Sequence, residues 1–337
     1  LREIDATRWY SNFGPLVQRF EQRLAERFQT PTRIITLANA TLALALTLRA
    51  RAPRGGVCLI PAWSFAASAH AAHWAGLTPC FADVDAQSGV LTPEIARALV
   101  QDHVIAAVMP VLPFGAPIDL EAWAAFECDT GVAVVGDAAA GFDVARVAPV
   151  PLVVSLHATK ALGVGEGAFL ATQDEALAAD VRAMSVFGFK GTREAFMPAL
   201  NAKLSEYAAA VGLAALDQWP QTRRRFMQSA QKLRGALSDT PLKFQDGWGA
   251  DWISATCIAE LPEADKAARA LALEDIETRR WWGRGLHRQP AFRTAPQAMA
   301  LMHTNRLAAQ TLGLPFAFDL DEAAIERIAK TLKGVLV

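Results

Sequence analysis

The 337-residue chain is poor in the features that mark most specialised protein classes. It has four cysteines, Cys58, Cys80, Cys128 and Cys257, with no CxxC pair among them. That spacing excludes a zinc or dithiol redox motif, so no metal is expected. Unpaired thiols suit a reducing cytoplasm, and no leader-like segment is read at the start. Charge of one sign is also missing. Lys plus Arg is 33 and Asp plus Glu is 34, a formal net charge of −1. Nucleic acid is therefore not an expected partner, because binding it requires a basic surface. Repeats and low-complexity tracts are absent. The densest glycine cluster, Gly163-x-Gly165-x-Gly167, lacks the GxGxxG spacing of a dinucleotide fold.

Apolar residues, in contrast, are abundant at 52%, and only 20% are charged. Such a composition excludes disorder and supplies a sizeable core. Residues 55–82 contain no Asp, Glu, Lys or Arg, a run of 28 residues. The length would span a bilayer, but Pro61, Pro79, His70, His73, Ser64 and Ser68 interrupt it. The expected structure is a buried strand–helix–strand unit, whose parallel strands read as continuous apolar runs.

Strand-like and helix-like segments alternate, which predicts an α/β fold with a mostly parallel central sheet flanked by helices. Helices are expected over 15–28, 42–50, 64–75, 92–100, 118–127 and 174–186. Strands are expected near 57–60, 79–82, 104–109, 132–136, 152–155 and 167–171. Beyond residue 200 the pattern changes to two long helices, 202–216 and 220–237, a strand near 252–259 and helices near 263–273 and 320–333. The expected organisation is an N-terminal arm (1–13), a large cofactor-binding domain (14–220) and a smaller C-terminal α+β domain (221–337).

In open parallel sheets, ligands bind beyond the carboxyl ends of the strands. Four groups fall there. Asp137 follows the strand at 132–136. Ser155-Leu156-His157-Ala158-Thr159-Lys160 follows the next strand. Asn39-Ala40-Thr41 precedes a helix, and Phe65 follows Pro61-Ala62-Trp63-Ser64. A lysine, a carboxylate, a helix N-terminus and an aromatic ring are the parts that pyridoxal 5'-phosphate needs. The lysine bonds the aldehyde and the carboxylate pairs with the ring nitrogen. The helix N-terminus takes the phosphate and the ring stacks on the pyridine face.

At these residues the sequence resembles the DegT/StrS-like nucleotide-sugar aminotransferases, which have the aspartate-aminotransferase-like fold type I. The likeness runs from Asn12-Phe13-Gly14-Pro15 and Phe20-Glu21 to Leu314-Pro315. Its most specific piece is the Ser155–Lys160 string followed by Gly163-Val164-Gly165-Glu166-Gly167. The resemblance implies that Lys160 carries the cofactor, that Ser155 binds its phosphate, that Asp137 is the ring-nitrogen partner and that Phe65 stacks. Asn39-Ala40-Thr41-Leu42-Ala43-Leu44 resembles the family's phosphate loop, with Ala40 where glycine is usual. Asn201-Ala202-Lys203-Leu204-Ser205-Glu206 resembles the segment whose asparagine reaches the neighbouring subunit's phosphate, which implies a homodimer with shared active sites. The stretch Arg279-Arg280-Trp281-Trp282-Gly283-Arg284-Gly285-Leu286-His287 resembles members acting on 4-keto-6-deoxy sugars, with Trp281, Trp282 and His287 as substrate contacts. Tryptophans can stack on a base or a sugar, and arginines can pair with a diphosphate.

Two departures stand out. Ala140 occupies the family's usual Gln position, and Leu112 in Pro110-Val111-Leu112-Pro113-Phe114-Gly115 occupies a usual His position. A lysine at 160, where some relatives carry His, favours transamination over deoxygenation. The expected reaction moves an amine, by resemblance from glutamate, to a nucleotide-linked ketosugar. A deoxysugar dehydratase, a non-sugar aminotransferase and a non-catalytic cofactor-binding regulator are the alternatives on the same fold.

Overall fold

The computed structural model describes residues 1–336. Val337, the last residue of the expected small domain, lies outside the described residues. Eleven strands are formed among the described residues: β1 Arg33–Leu37, β2 Val57–Pro61, β3 Thr78–Ala82, β4 Ile105–Val108, β5 Ala133–Val134, β6 Gly136–Asp137, β7 Leu152–Ser155, β8 Ala168–Thr172, β9 Lys243–Phe244, β10 Cys257–Glu260 and β11 Thr311–Leu314. The α-helices are α1 Arg2–Thr7, α2 Pro15–Ala25, α3 Ala40–Arg51, α4 Ala66–Trp74, α5 Pro93–Asp102, α6 Leu120–Thr130, α7 Glu175–Ser185, α8 Glu206–Ala236, α9 Ala264–Leu273, α10 Met302–Gln310 and α11 Glu322–Leu336.

Two four-stranded sheets, β3-β2-β4-β5 and β1-β8-β7-β6, meet where β5 runs into β6. The Val135 N–H donates to the Val108 carbonyl and the Asp137 N–H to that of Pro110, so the ladder continues across the junction. All pairings are parallel except those of β8 with β7 and β1. The charge-free run at 55–82 is β2, α4 and β3, with β2 and β3 in parallel register. No helix among the described residues is long and apolar enough to cross a membrane. The run is apolar because both faces of these strands are covered. A smaller antiparallel sheet, β11-β10-β9, packs with α9 and α11 around its own core, which includes Trp248, Leu271 and Leu332.

Three expectations are corrected. The helices expected at 202–216 and 220–237 are one helix, α8, which passes through Pro220. An interior proline costs about 3 kcal/mol, but Leu213, Leu216 and Trp219 before it and Phe226 after it are all buried, and this packing outweighs the cost. The strand expected near 252–259 begins only at Cys257. Its first residues are held in a turn, where the Gly249 N–H donates to the Trp252 carbonyl and the Ile253 N–H to Asp143. Strand β1 was not expected, because a four-residue apolar run carries no period of its own.

Helix α2 shows how distant residues complete local structure. Its N-cap, Gly14, has no side chain to satisfy the first N–H groups. Buried Glu206 does so from α8, accepting from Leu16 N–H and Val17 N–H at 3.0 Å each. A Cβ on Gly14 would lie 2.6 Å from the Glu206 carboxyl carbon, so glycine lets this carboxylate approach. Replacing Glu206 with Ala is expected to lower stability by about 2–3 kcal/mol, the scale of hydrogen bonds to a charged group. Urea unfolding checks this: the midpoint falls while the slope is unchanged.

Candidate active site

The carboxyl ends of β1, β2, β4, β6 and β7 converge on one edge of the joined sheet, where a cavity of about 710 Å³ opens. Each strand end delivers one part of its wall. After β1, Asn39 caps α3, its Oδ1 accepting from the Leu42 N–H at 2.9 Å. Ala40 and Thr41 follow in the first turn, so free N–H groups of the helix face the cavity. After β2 come Ser64 and Phe65; the Phe65 ring is 56% exposed and forms part of the wall. After β4, the tight turn Pro113–Gly115 brings in Phe114, whose φ of 54° is unusual for a residue with a side chain. Gly115 at φ +101° is required there, because a Cβ would meet the Ala140 carbonyl at 2.6 Å.

Asp137 closes β6 and is 5% exposed. Its Oδ2 accepts from the Ser68 hydroxyl at 2.7 Å, and Ser64 Oγ lies 2.7 Å from Ser68 Oγ. Its Oδ1 accepts from the Ala139 N–H at 3.1 Å. Burial pushes the Asp137 carboxyl above the usual carboxylate range; the hydrogen bonds from Ser68 and the Ala139 N–H and the nearby charge of Lys160 oppose that shift. Lys160 lines the same cavity, and burial pulls its amine below the usual lysine range against the charge of Asp137. An amine that sheds its proton more readily than ordinary lysine is a better nucleophile toward a carbonyl carbon.

Lys160 sits on a loop closed at its neck by the Leu156 N–H to the Gly167 carbonyl and the Ala158 N–H to the Gly165 carbonyl. Ser155 is buried at the end of β7, its hydroxyl accepting from the His157 N–H at 3.2 Å. His157 Nδ1 accepts from the Thr159 N–H at 3.2 Å, so its Nε2 is the protonated nitrogen of the neutral ring.

The structure thus brings Asn39, Ala40, Thr41, Phe65, Asp137, Ser155, Lys160, Trp281 and Trp282 to one cavity. It does not bring His287 or Asn201 there. His287 is 7% exposed and bonded through Nε2 to Asn305 Oδ1 at 3.1 Å, because the Leu286 N–H ties its turn to the Ala62 carbonyl behind the wall. Asn201 is exposed on the outer surface, where Lys203 donates to its side chain. Ser68 is a site residue that sequence reasoning missed, since it counted only as a break in an apolar run. The signal was available: Ser64 and Ser68 are one helical turn apart in a segment otherwise free of charge. Phe226, Phe316 and Phe318 also line the cavity, from α8 and the segment after β11. Neither Ala140 nor Leu112 offers a side-chain donor or acceptor to it.

A lysine and a buried carboxylate beside a free helix N-terminus suit a cofactor that has an aldehyde, a ring nitrogen and a phosphate. Known proteins agree on the class. A structure from Bacillus cereus ATCC 10987 described as a PLP-dependent aminotransferase superposes with a TM-score of 0.91 at 29% identity, covering 98% of this chain and 94% of that one. The protein is a pyridoxal-phosphate-dependent aminotransferase. More narrowly, the chain belongs to the DegT/DnrJ/EryC1/StrS aminotransferase family, whose model matches residues 1–333. DesI, solved in the presence of its TDP-sugar product, is 32% identical with a TM-score of 0.88, over 98% of this chain and 87% of that one. The dTDP-4-amino-4,6-dideoxy-D-glucose transaminase of Escherichia coli is 26% identical over 99% of this chain and 94% of that protein.

The raised Asp137 pKa has a consequence for the cofactor-free protein. Between the ordinary carboxylate value of about 3.9 and the higher folded value, the unfolded chain has released this proton and the folded chain still holds it. Stability from this group is therefore present in acid and lost as pH rises. Relative to Asp137→Asn, the apoprotein is expected to lose stability from pH 4 to pH 8. Parallel urea midpoints at the two pH values check it, and a constant difference would contradict the placement of Asp137.

Proposed function

We propose that the enzyme transfers an amino group from glutamate to a nucleotide-linked 4-keto-6-deoxy sugar, with Lys160 as the catalytic residue. The observation that carries this reading is the placement of Lys160 and Asp137 in the wall of one cavity, each charge disfavoured by burial and favoured by the other. The acceptor class is supported by relatives named for dTDP-sugar transamination and for a TDP-sugar product.

Pyridoxal phosphate, when bound, supplies an electron sink that lets an amine leave one carbon and join another. Lys160 would hold it, and the same amine, deprotonated more easily than usual, would when free carry the proton to and from the reacting carbon. Asp137 keeps the ring nitrogen protonated, and Ser68 orients Asp137. Ser155 and the N–H groups at Asn39–Thr41 bind the phosphate, where the helix end attracts an anion. Phe65 covers the ring face and excludes water from it.

In this reading the enzyme is a cytoplasmic homodimer. Asn201 is exposed beside Lys203 and does not line its own cavity, and Trp9, Tyr10, Phe196 and Tyr207 expose large apolar surfaces. A partner subunit covering them would place Asn201 at the neighbouring phosphate.

Glutamate added to the cofactor-loaded enzyme is expected to bleach its visible absorbance band, and a nucleotide ketosugar to restore it with a product mass showing amine gain. Oxygen loss instead of amine gain would indicate a dehydratase. Lys160→Ala is expected to lose the glutamate-driven change and to turn over about 10²–10⁴-fold more slowly, the range for a removed general acid–base group.

A further inference from the structure

A second cavity, of about 780 Å³, lies on the far side of the catalytic cavity's aromatic wall. It opens between the loops after β3 and β4 on one side and the end of α8, β9 and β10 on the other. Cavities of this size hold small molecules. None of the residues proposed to hold the cofactor lines it. The partition is built of three rings. Phe114 stacks on Trp282 with centroids 3.8 Å apart, and Trp63 meets both edge-on, at 6.2 and 5.1 Å. Trp63 lines the second cavity, Trp282 lines the catalytic one, and Phe114 lines both.

Four charged side chains line the second cavity: Arg234, Lys243, Asp246 and Glu260. Glu260 is ion-paired with Arg306, which also donates to the Ala86 carbonyl at 2.5 Å. Lys243 and Asp246 are exposed, so water solvates both charges. Arg234 differs. It is partly buried at the end of α8, its Nη1 donating to the Trp248 carbonyl at 3.1 Å and its guanidinium 5.6 Å from the Phe244 ring centroid. Its Nε and Nη2 have no protein acceptor, and it makes no ion pair, among the described residues. A part-buried cation without a counter-charge is costly. The planar guanidinium fork matches a carboxylate. Phe244, Trp63 and Phe114 line the same cavity, and their rings accept a flat apolar group beside that carboxylate.

We propose that this cavity is a second ligand site, for an aromatic carboxylate, with the anion on Arg234 and the ring against the aromatic walls. The site is separate from the one that holds the cofactor, and its occupant is felt there through Phe114. Gln245, just after β9, donates from Nε2 to the Pro113 carbonyl at 2.9 Å, so the turn carrying Phe114 is held from the second cavity's side. Phe114 keeps its φ of 54° only while such surrounding contacts hold it. A ligand touching Phe114 thus acts on a ring stacked against Trp282, in the wall of the catalytic cavity.

Titration calorimetry of the cofactor-loaded enzyme with phenylacetate, 4-hydroxyphenylacetate and indole-3-acetate, each against its neutral amide, tests the site. At least one acid is expected to bind, about 10- to 100-fold more tightly than its amide, the scale of hydrogen bonds to a charged group. Arg234→Gln is expected to bring acid and amide to within about threefold of each other. Lys243→Glu, at an exposed position, is expected to weaken the acid about threefold or more at low salt. Cofactor absorbance and the urea midpoint report that each variant is folded; should Arg234→Gln fail to fold, Lys243→Glu decides. If no acid binds, if acid and amide bind alike, or if Arg234→Gln keeps the native preference, the proposal falls. At saturation the acid is expected to change the ketosugar KM of the native enzyme by about fivefold or more, and the same concentration to leave that of Arg234→Gln unchanged. An unchanged native KM overturns the link through Phe114. This last measurement rests on the ketosugar reading: if no nucleotide ketosugar is aminated, that reading falls, and the calorimetry still decides the site.

Discussion

The carboxylate of Asp137, held at the end of β6 by the Ser68 hydroxyl and the Ala139 N–H, is the group around which the site is arranged. A buried carboxylate is costly unless it is hydrogen-bonded or paired. Here two hydrogen bonds and the charge of Lys160 offset only part of that cost, since burial still leaves the carboxyl shifted upward. The remaining cost is what a cationic ring nitrogen would relieve. The same burial acts on Lys160 in the opposite direction, so one desolvated chamber prepares both groups.

Four carboxylates are buried among the described residues, and their partners separate structure from chemistry. Asp83 takes N–H groups of His303 and Thr304 and the Thr304 hydroxyl, capping α10 from β3. Glu206 caps α2 from α8. Asp143 accepts from Arg223 and from the Ile253 N–H, fastening α8 and the chain before β10 to the large sheet's flank. Each of these three ties together segments far apart in sequence. Asp137 alone faces a cavity, and it holds one hydroxyl and one neighbouring N–H.

Much of the fold was legible because its elements carry local signals. The strand–helix–strand character of 55–82 followed from an uncharged run broken by Pro61, Pro79 and two serines. The α3 N-terminus followed from Asn39 and Thr41, whose side chains favour caps. The errors share one physical origin. Pro220 reads as a break because the cost of proline is local, while the packing of Trp219 against Phe142 that overrides it is not. Cys257 starts β10 late because Asp143, more than a hundred residues earlier, holds Ile253 in place. The placement of Lys160, Asp137 and Ser155 at the cavity was readable from their position at strand ends. Ser68 was not, because a serine inside an apolar helix acquires meaning only when a carboxylate is set beside it.

The sequence by itself determined the class of chemistry: a lysine, an aspartate and a capped helix at successive strand ends, in an order that one family of folds uses. The tertiary structure decided which of the remaining candidates face the site. Trp281 and Trp282 are neighbours in sequence, yet one is exposed at the cavity wall while the other is stacked on Phe114. His287 is buried against Asn305, beside the Leu286 N–H that donates to the Ala62 carbonyl. The strands of the large sheet are signalled by short apolar runs, which are local. Side-chain access is fixed by what packs against each residue from elsewhere in the chain, and no local pattern encodes that.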